Sequence, residues 1–209
     1  GGGGREGGAN TRPEKKRQKE NKYINKTEEK DFLFKSHDNV YCIESGGPIP
    51  GNGCAGRGII TAFEKIKELD LFSKYQPDYV LFDVLGDVVC GGFAMPIRNG
   101  YADDLYIVTS GEMMSLYAAS NILQAVRYQV RPGYATFKGL IVNKKNIENE
   151  DEIVKKASEE MNANVFFSIP RDKMIQEAEK MKMTVCEAFP ESNIAKEYFA
   201  LAKKIIENE

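Results

Sequence analysis

The chain has 209 residues, of which 42% are apolar, and this is enough to bury one hydrophobic core. Its 29 basic and 31 acidic side chains leave a formal charge of −2, so no overall field favours nucleic acid or an anionic membrane. No apolar run approaches the ~20 residues of a membrane span, and the beginning of the sequence lacks the apolar segment of a signal peptide. We therefore expect a globular, cytoplasmic protein with neither a nucleic-acid nor a membrane partner.

Residues 1–38 are predicted to form a disordered, low-complexity tail in front of one domain at 39–209. The opening GGGGREGGANTRPEKKRQKENK contains no large apolar residue before Tyr23, so it cannot bury enough surface to offset its ordering entropy. A phosphate-binding loop at GGGGREGG is not supported, because that signature requires a preceding buried strand and a following Gly-Lys-Ser/Thr.

Two glycine-rich segments each contain one cysteine. The first, GGPIPGNGCAGRG, contains Cys54, and the second, DVLGDVVCGGFAMPIR, contains Cys90. Glycine lets backbone N–H groups approach a bulky anionic ligand closely, and hydrogen bonds to sulfur atoms tune the potential of an iron–sulfur cluster. The two segments therefore predict a cluster site.

Two thiolates are half of the usual four-thiolate ligand set. The other pair could come from Cys42 and Cys186, or from the same two cysteines of a second copy on a two-fold axis. We favour the second alternative because Cys42 and Cys186 lack the glycine setting. Cys42 lies on a predicted strand, where a buried core thiol is the expected role.

The remaining pattern alternates strands with helices and predicts an α/β doubly wound sheet. Strands are predicted at Val40–Ile43, Tyr79–Asp83, Leu105–Thr109, Phe137–Asn143 and Val165–Ile169, and helices at Ile59–Leu71, Met113–Val130, Asp151–Met161, from Lys173 and at Asn193–Glu209. Met113 and Met114 are expected to fill the core rather than to bind a cofactor.

The run Tyr79–Asp83, YVLFD, is apolar up to a final carboxylate. This is typical of a central parallel strand whose carboxyl end faces the ligand crevice. Asp83 is then a candidate to lie near Mg²⁺, through water, and a turn or capping aspartate is the alternative.

Four runs together resemble the iron protein of nitrogenase, the ATP-dependent dinitrogenase reductase. They are CIESGGPIPGNGCAGRGIITA, DYVLFDVLGDVVCGGFAMPIRNG, IVTSGEMMSLYAASNI and IPRDKMIQEAE, within a similarity that extends from about Val40 to the end of the chain. CAGRG, FAMPIR and SGEMM favour the nitrogenase branch over the related reductases of chlorophyll synthesis. A homologue that reduces a tetrapyrrole remains the alternative.

The resemblance implies a mostly parallel sheet of the P-loop NTPase type and a homodimer that shares one 4Fe-4S cluster through Cys54 and Cys90. It also implies MgATP as cofactor, with electrons passing from a ferredoxin or flavodoxin to a molybdenum–iron protein in nitrogen fixation. Arg57 would be a site of ADP-ribosylation, or would only dock the partner protein electrostatically.

The resemblance also assigns roles around the nucleotide. Asp83 would lie near Mg²⁺, and Asp87 would orient or deprotonate the attacking water. The adenosine pocket would be lined by Asn143, Arg171, Asp172, Gln176 and Glu179. Structurally, Asp172 could simply cap the helix from Lys173.

The sequence departs from this family's pattern in one respect, because no buried strand with a Gly-Lys-Ser/Thr loop precedes the first glycine-rich segment. We therefore expect a fold without the N-terminal P-loop unit and an incomplete MgATP site. A truncated or frame-shifted product, a partial sequence, or a divergent form whose partner supplies the loop would each explain this, and we favour the first two. We expect that the 209-residue chain alone does not drive ATP-dependent electron transfer. An inactive remnant that only dimerises or docks is the alternative function.

Overall fold

A computed structural model describes residues 28–36, 38–44, 56–86, 96–97, 100–128 and 133–208, with the backbone alone at 56 and 57. The chain divides into two compact units, one up to Pro77 and one from Asp78. The predicted boundary between tail and domain at residue 38 stays a prediction. The described residues of that segment include a short 3₁₀ helix, Glu29–Asp31, and a strand.

The first unit contains a two-stranded ribbon and two helices. Strand β1, Leu33–Lys35, pairs antiparallel with β2, Tyr41–Ile43, and the helices are α1, Gly56–Glu68, and α2, Leu71–Tyr75. The predicted strand at 40–43 is confirmed, whereas β1 was not predicted. The Tyr75 hydroxyl donates to the Glu29 carboxylate, which also pairs with Lys74 at 2.6 Å, so α2 is tied to the 3₁₀ helix.

The second unit contains a parallel sheet of three strands in the order β3-β4-β5. The strands are β3, Asp104–Thr109, β4, Thr136–Asn143, and β5, Val165–Ile169; the helices are α3, Met113–Tyr128, α4, Glu150–Glu160, α5, Lys173–Lys180, α6, Val185–Ala188, and α7, Asn193–Ile206. The α/β architecture predicted from the alternation of apolar patterns is confirmed.

Apolar side chains pack on both faces of this sheet. Successive residues of β4 point to opposite faces, so neighbours in sequence belong to different clusters. Leu140 packs with Ile107, Ala119 and Leu123 under α3. Its neighbour Ile141 packs in the other cluster, whose buried members are Phe166, Ile169, Ala178, Val185 and Ile194 from β5, α5, α6 and α7. Each fully buried aliphatic side chain contributes roughly 1.5–3 kcal/mol, so these two clusters hold the helices against the sheet.

The predicted central strand at Tyr79–Asp83 is wrong for the structure as described. These residues form no strand, Leu81 is 88% exposed, and Asp83 is exposed too. An extended segment becomes a sheet strand only when a neighbour hydrogen-bonds to it. Within the described part of the chain no strand pairs with this segment, and the pairing recorded for β3 is with β4.

The core role predicted for Met113 and Met114 is also wrong, since they are 77% and 74% exposed. Helix α3 instead buries Leu116, Ala119 and Leu123, which lie about one to three turns further along. The methionines lie in the first turn, before the helix reaches the sheet face. None of the helices in the described residues is long and apolar enough to cross a membrane.

Candidate functional site

The polar candidates of the nucleotide site lie at the carboxyl edge of the parallel sheet. Asn143, the last residue of β4, lies opposite Ile169, the last residue of β5, and the Lys144 N–H donates to the Ile169 carbonyl oxygen at 2.9 Å. Arg171 and Asp172 lie in the loop after β5, one residue beyond its end. The structure therefore brings Asn143 and the loop before α5 to one edge, where ligands of open α/β sheets bind.

Asp172 caps helix α5, because its carboxylate accepts a hydrogen bond of 2.8 Å from the Met174 N–H. The capping role expected as the structural alternative is confirmed. Gln176 and Glu179 follow on α5, one turn apart, and both are exposed. Burial, together with the charges of Cys186 and Glu179, raises the pKa of the Tyr198 hydroxyl, so Glu179 lies within electrostatic reach of α7.

A buried carboxylate organises the two loops beside this edge. Glu150, the first residue of α4, is only 6% exposed. Its Oε1 accepts hydrogen bonds from the N–H of Gly111 at 3.1 Å and of Lys145 at 2.9 Å, and Oε2 accepts from the Ile147 N–H at 3.3 Å. Glu150 thereby joins the loop after β3 to the loop after β4.

This contact requires a glycine at residue 111. A Cβ there would come within 2.5 Å of the Glu150 Cγ and 2.8 Å of its Oε1. Burial raises the pKa of the Glu150 carboxyl, but hydrogen bonds from the surrounding N–H groups outweigh burial and hold the pKa below its usual value. The carboxylate is therefore ionised at neutral pH.

Sequence reasoning missed Glu150. It stands among other acidic residues in ENEDE, which is typical of a solvated helix start. The available signal was Gly111, a glycine two residues after the end of a predicted strand, where a close approach of another group requires it.

The two described cysteines differ in their surroundings. Cys42 is exposed on β2, so the expected buried core thiol is wrong there, because a two-stranded ribbon offers little surface to cover it. Cys186, on α6, packs against the cluster around Ile141 and Phe166. Burial, and then the charge of Glu187, raises the pKa of the Cys186 thiol. Cys186 therefore lies against the hydrophobic core rather than in a glycine-rich segment.

Several predicted site residues lie outside the described part of the chain, namely Cys54, Asp87 and Cys90. Arg57 lies in the first turn of α1, and nothing is described of its side chain. Among the described residues, no group of three or more His, Cys, Asp or Glu side chains could hold a metal ion. The cluster and catalytic assignments therefore rest on sequence.

ATPases are among the solved structures with a similar fold. The cell division ATPase MinD of Pyrococcus furiosus matches with a TM-score of 0.62 at 20% identity, covering 89% of this chain and 73% of that one. The septum site-determining protein MinD of Pyrococcus horikoshii OT3, complexed with Mg-ADP, matches with a TM-score of 0.60 at 21% identity, covering 87% and 70%. These likenesses confirm the predicted α/β fold.

Sequence relatives define the family more narrowly. A family model for 4Fe-4S iron sulfur cluster binding proteins, NifH/frxC family, matches residues 13–209. Over 171 residues the chain is 48% identical to nitrogenase iron protein 2 of Rhodobacter capsulatus, a match that covers 82% of this chain and 62% of that protein. The chain therefore belongs to the NifH/frxC family, as the motifs predicted, and it spans about three fifths of the length of this relative.

Proposed function

We propose that the protein is the electron-transfer reductase component of a nitrogenase. A 4Fe-4S cluster would pass electrons from a ferredoxin or flavodoxin to a molybdenum–iron protein, coupled to ATP hydrolysis. The observation that carries this proposal is the 48% identity to a nitrogenase iron protein over 82% of the chain. The glycine-embedded Cys54 and Cys90 supply the chemistry that such a cluster needs.

The proposed ligands are Cys54 and Cys90 of each of two copies, which share one cluster on a two-fold axis. The surroundings of the other cysteines support this assignment. Cys186 packs in the core with a raised pKa, and Cys42 lies on an exposed ribbon strand away from any glycine-rich segment. Neither offers the amide-rich setting that stabilises an anionic cluster.

The nucleotide would bind at the carboxyl edge of the sheet. Asn143, Arg171, Asp172, Gln176 and Glu179 would contact its adenosine half, and the shared edge of β4 and β5 supports that placement. Asp83 and Asp87 would act at the phosphate end, the first near Mg²⁺ and the second on the attacking water. Arg57 would be the ADP-ribosylation site or a docking contact.

The ligand assignment is tested with matched cysteine variants. Cys54→Ser and Cys90→Ser are each reconstituted with iron and sulfide and compared with the double variant Cys42→Ser, Cys186→Ser. We expect loss of iron in the first two and about four irons per dimer in the third, which is the content of one shared cluster. Loss of iron from the double variant, with the protein remaining monomeric, would mean that the cysteines of one chain form the site.

The function is tested with the reduced, cluster-loaded protein. Binding of a molybdenum–iron protein, compared with binding of a tetrapyrrole-reducing partner, separates the two branches of the family. The 209-residue sequence contains no Gly-Lys-Ser/Thr loop, so we expect docking without ATP-driven turnover. Turnover equal to that of a family member with this loop would contradict that expectation.

A further inference from the structure

We propose that Glu150 is a positioning residue for the adenine side of the nucleotide site. Its carboxylate would hold the loops after β3 and β4 in the arrangement that presents Asn143 to the nucleotide. The inference rests on the proposed function, because it assigns a role within that same site.

Glu150 accepts hydrogen bonds from backbone N–H groups of two loops, and such bonds fix the conformation of the loops. Its two oxygens accept from the N–H groups of Lys145 and Ile147, which follow β4, and from Gly111, which is 39 residues distant in sequence. Acidic side chains are almost never fully buried unless their charge is compensated. Here backbone N–H groups compensate it, so loss of the carboxylate would leave several buried donors unsatisfied.

The loop that Glu150 holds is continuous with the proposed adenosine contacts. Asn143 ends β4, the Lys144 N–H is bonded to β5, and the Lys145 N–H is bonded to Glu150. Lys144 also pairs with Asp151 on α4 at 2.6 Å. A series of hydrogen bonds therefore connects the ends of all three strands, and Glu150 supplies the link from β4 to β3.

Gly111 shows that the two loops fit each other closely. Any side chain at that position would displace the Glu150 carboxylate, since its Cβ would lie 2.5 Å from Cγ. Two independent changes, one at the acid and one at the glycine, should thus disturb the same contact. The change at Gly111 leaves the charge in place.

The test compares Glu150→Gln and Gly111→Ala with Glu152→Gln, an exposed acid in the same first turn of α4. ADP binding is followed by NMR titration of backbone amides, and amide hydrogen exchange is measured at Gly111, Lys145 and Ile147. We expect ADP affinity to fall roughly tenfold in both test variants, because a loop displaced by about 1 Å misplaces its contacts. Exchange at the three amides should accelerate, and Glu152→Gln should match the wild type.

The outcomes separate this inference from the function on which it rests. If the wild type binds ADP and both test variants bind it equally well while melting at a lower temperature, Glu150 is only structural and the inference fails. If the wild type itself does not bind ADP, the proposed nucleotide site fails, and the positioning role fails with it. Should Glu150→Gln not fold, Gly111→Ala decides between these outcomes.

Discussion

Lys204 of α7 donates a hydrogen bond of 2.6 Å to the backbone carbonyl oxygen of Phe166, and the same ammonium lies 4.7 Å from the centre of the Phe166 ring. Phe166 is buried in β5 and also packs its ring against Tyr106 of β3, with the ring centres 4.8 Å apart. One lysine therefore ties the last helix to the sheet through both the backbone and a side chain.

We predict that Lys204→Met destabilises the protein by about 1–2 kcal/mol, because a charged hydrogen bond and a cation–π contact are lost together. Lys203→Met is the matched control. Lys203 is exposed and only 3.6 Å from Glu207, a surface pair worth less than about 1 kcal/mol. Urea unfolding measures both, and equal effects of the two substitutions would show that the Phe166 contact contributes nothing.

A second prediction concerns Gly139 in β4, where φ is +149°. A Cβ there would lie 2.6 Å from the Asn164 Nδ2 and 2.9 Å from the Phe166 Cβ, so Gly139→Ala combines strain with a clash. We expect a loss of about 2–4 kcal/mol in the free energy of unfolding. Gly133→Ala is the control, because φ is +84° there but no atom lies within 4 Å. It should cost about 1 kcal/mol, from strain alone.

A third prediction separates the two roles of Asp172. Asp172→Asn keeps an oxygen that can accept from the Met174 N–H, whereas Asp172→Ala removes it. We expect Asp172→Ala to lower stability by about 1 kcal/mol and Asp172→Asn to leave it nearly unchanged. If both substitutions weaken ADP binding equally, the charge at this position acts on the nucleotide. If only Asp172→Ala does so, Asp172 acts through the cap.

The fourth prediction is a pH dependence. The folded-state pKa of Glu150 lies below its unfolded value, so its contribution to stability is fully present above about pH 4.3, the ordinary value of a glutamate. That contribution disappears as the pH falls through the lower, folded-state pKa. We expect the stability difference between wild type and Glu150→Gln to be constant from neutral pH to about pH 4.3 and then to shrink. If the stability difference instead grows as the pH falls, the folded-state pKa of Glu150 is raised rather than lowered, and the prediction is wrong.

Elements with long apolar runs were predictable from sequence alone. Strand β5 was predicted at Val165–Ile169 and is observed at the same residues, and helix α3 was predicted to within two residues of its observed end at Tyr128. Tyr79–Asp83 has an equally apolar run and forms no strand in the described chain. The periodicity of a segment indicates how its side chains would pack, but the segment alone does not determine which neighbouring strand pairs with it.

The placement of the candidate residues was predictable only where they follow strand ends. Asn143 and the loop that contains Asp172 lie at one edge of the sheet because parallel strands end there, and this can be deduced from the order of elements. The contact between Glu150 and Gly111 could not be deduced, because it joins two loops that are distant in sequence and depends on the register of β3 and β4. Neither the burial of Glu150 nor the exposure of Met113 could be deduced from local composition.

The simple order β3-β4-β5 also has a consequence for the folding pathway. Each strand pairs with the next strand in the chain, through a connection that contains a helix, and so each pairing closes a loop of moderate length. Loop-closure entropy rises only slowly with length, by about 0.6 kcal/mol per doubling, and local pairings form first. The segment from Asp104 to Ile169 can therefore nucleate as a unit, before contacts that join more distant parts of the chain are made.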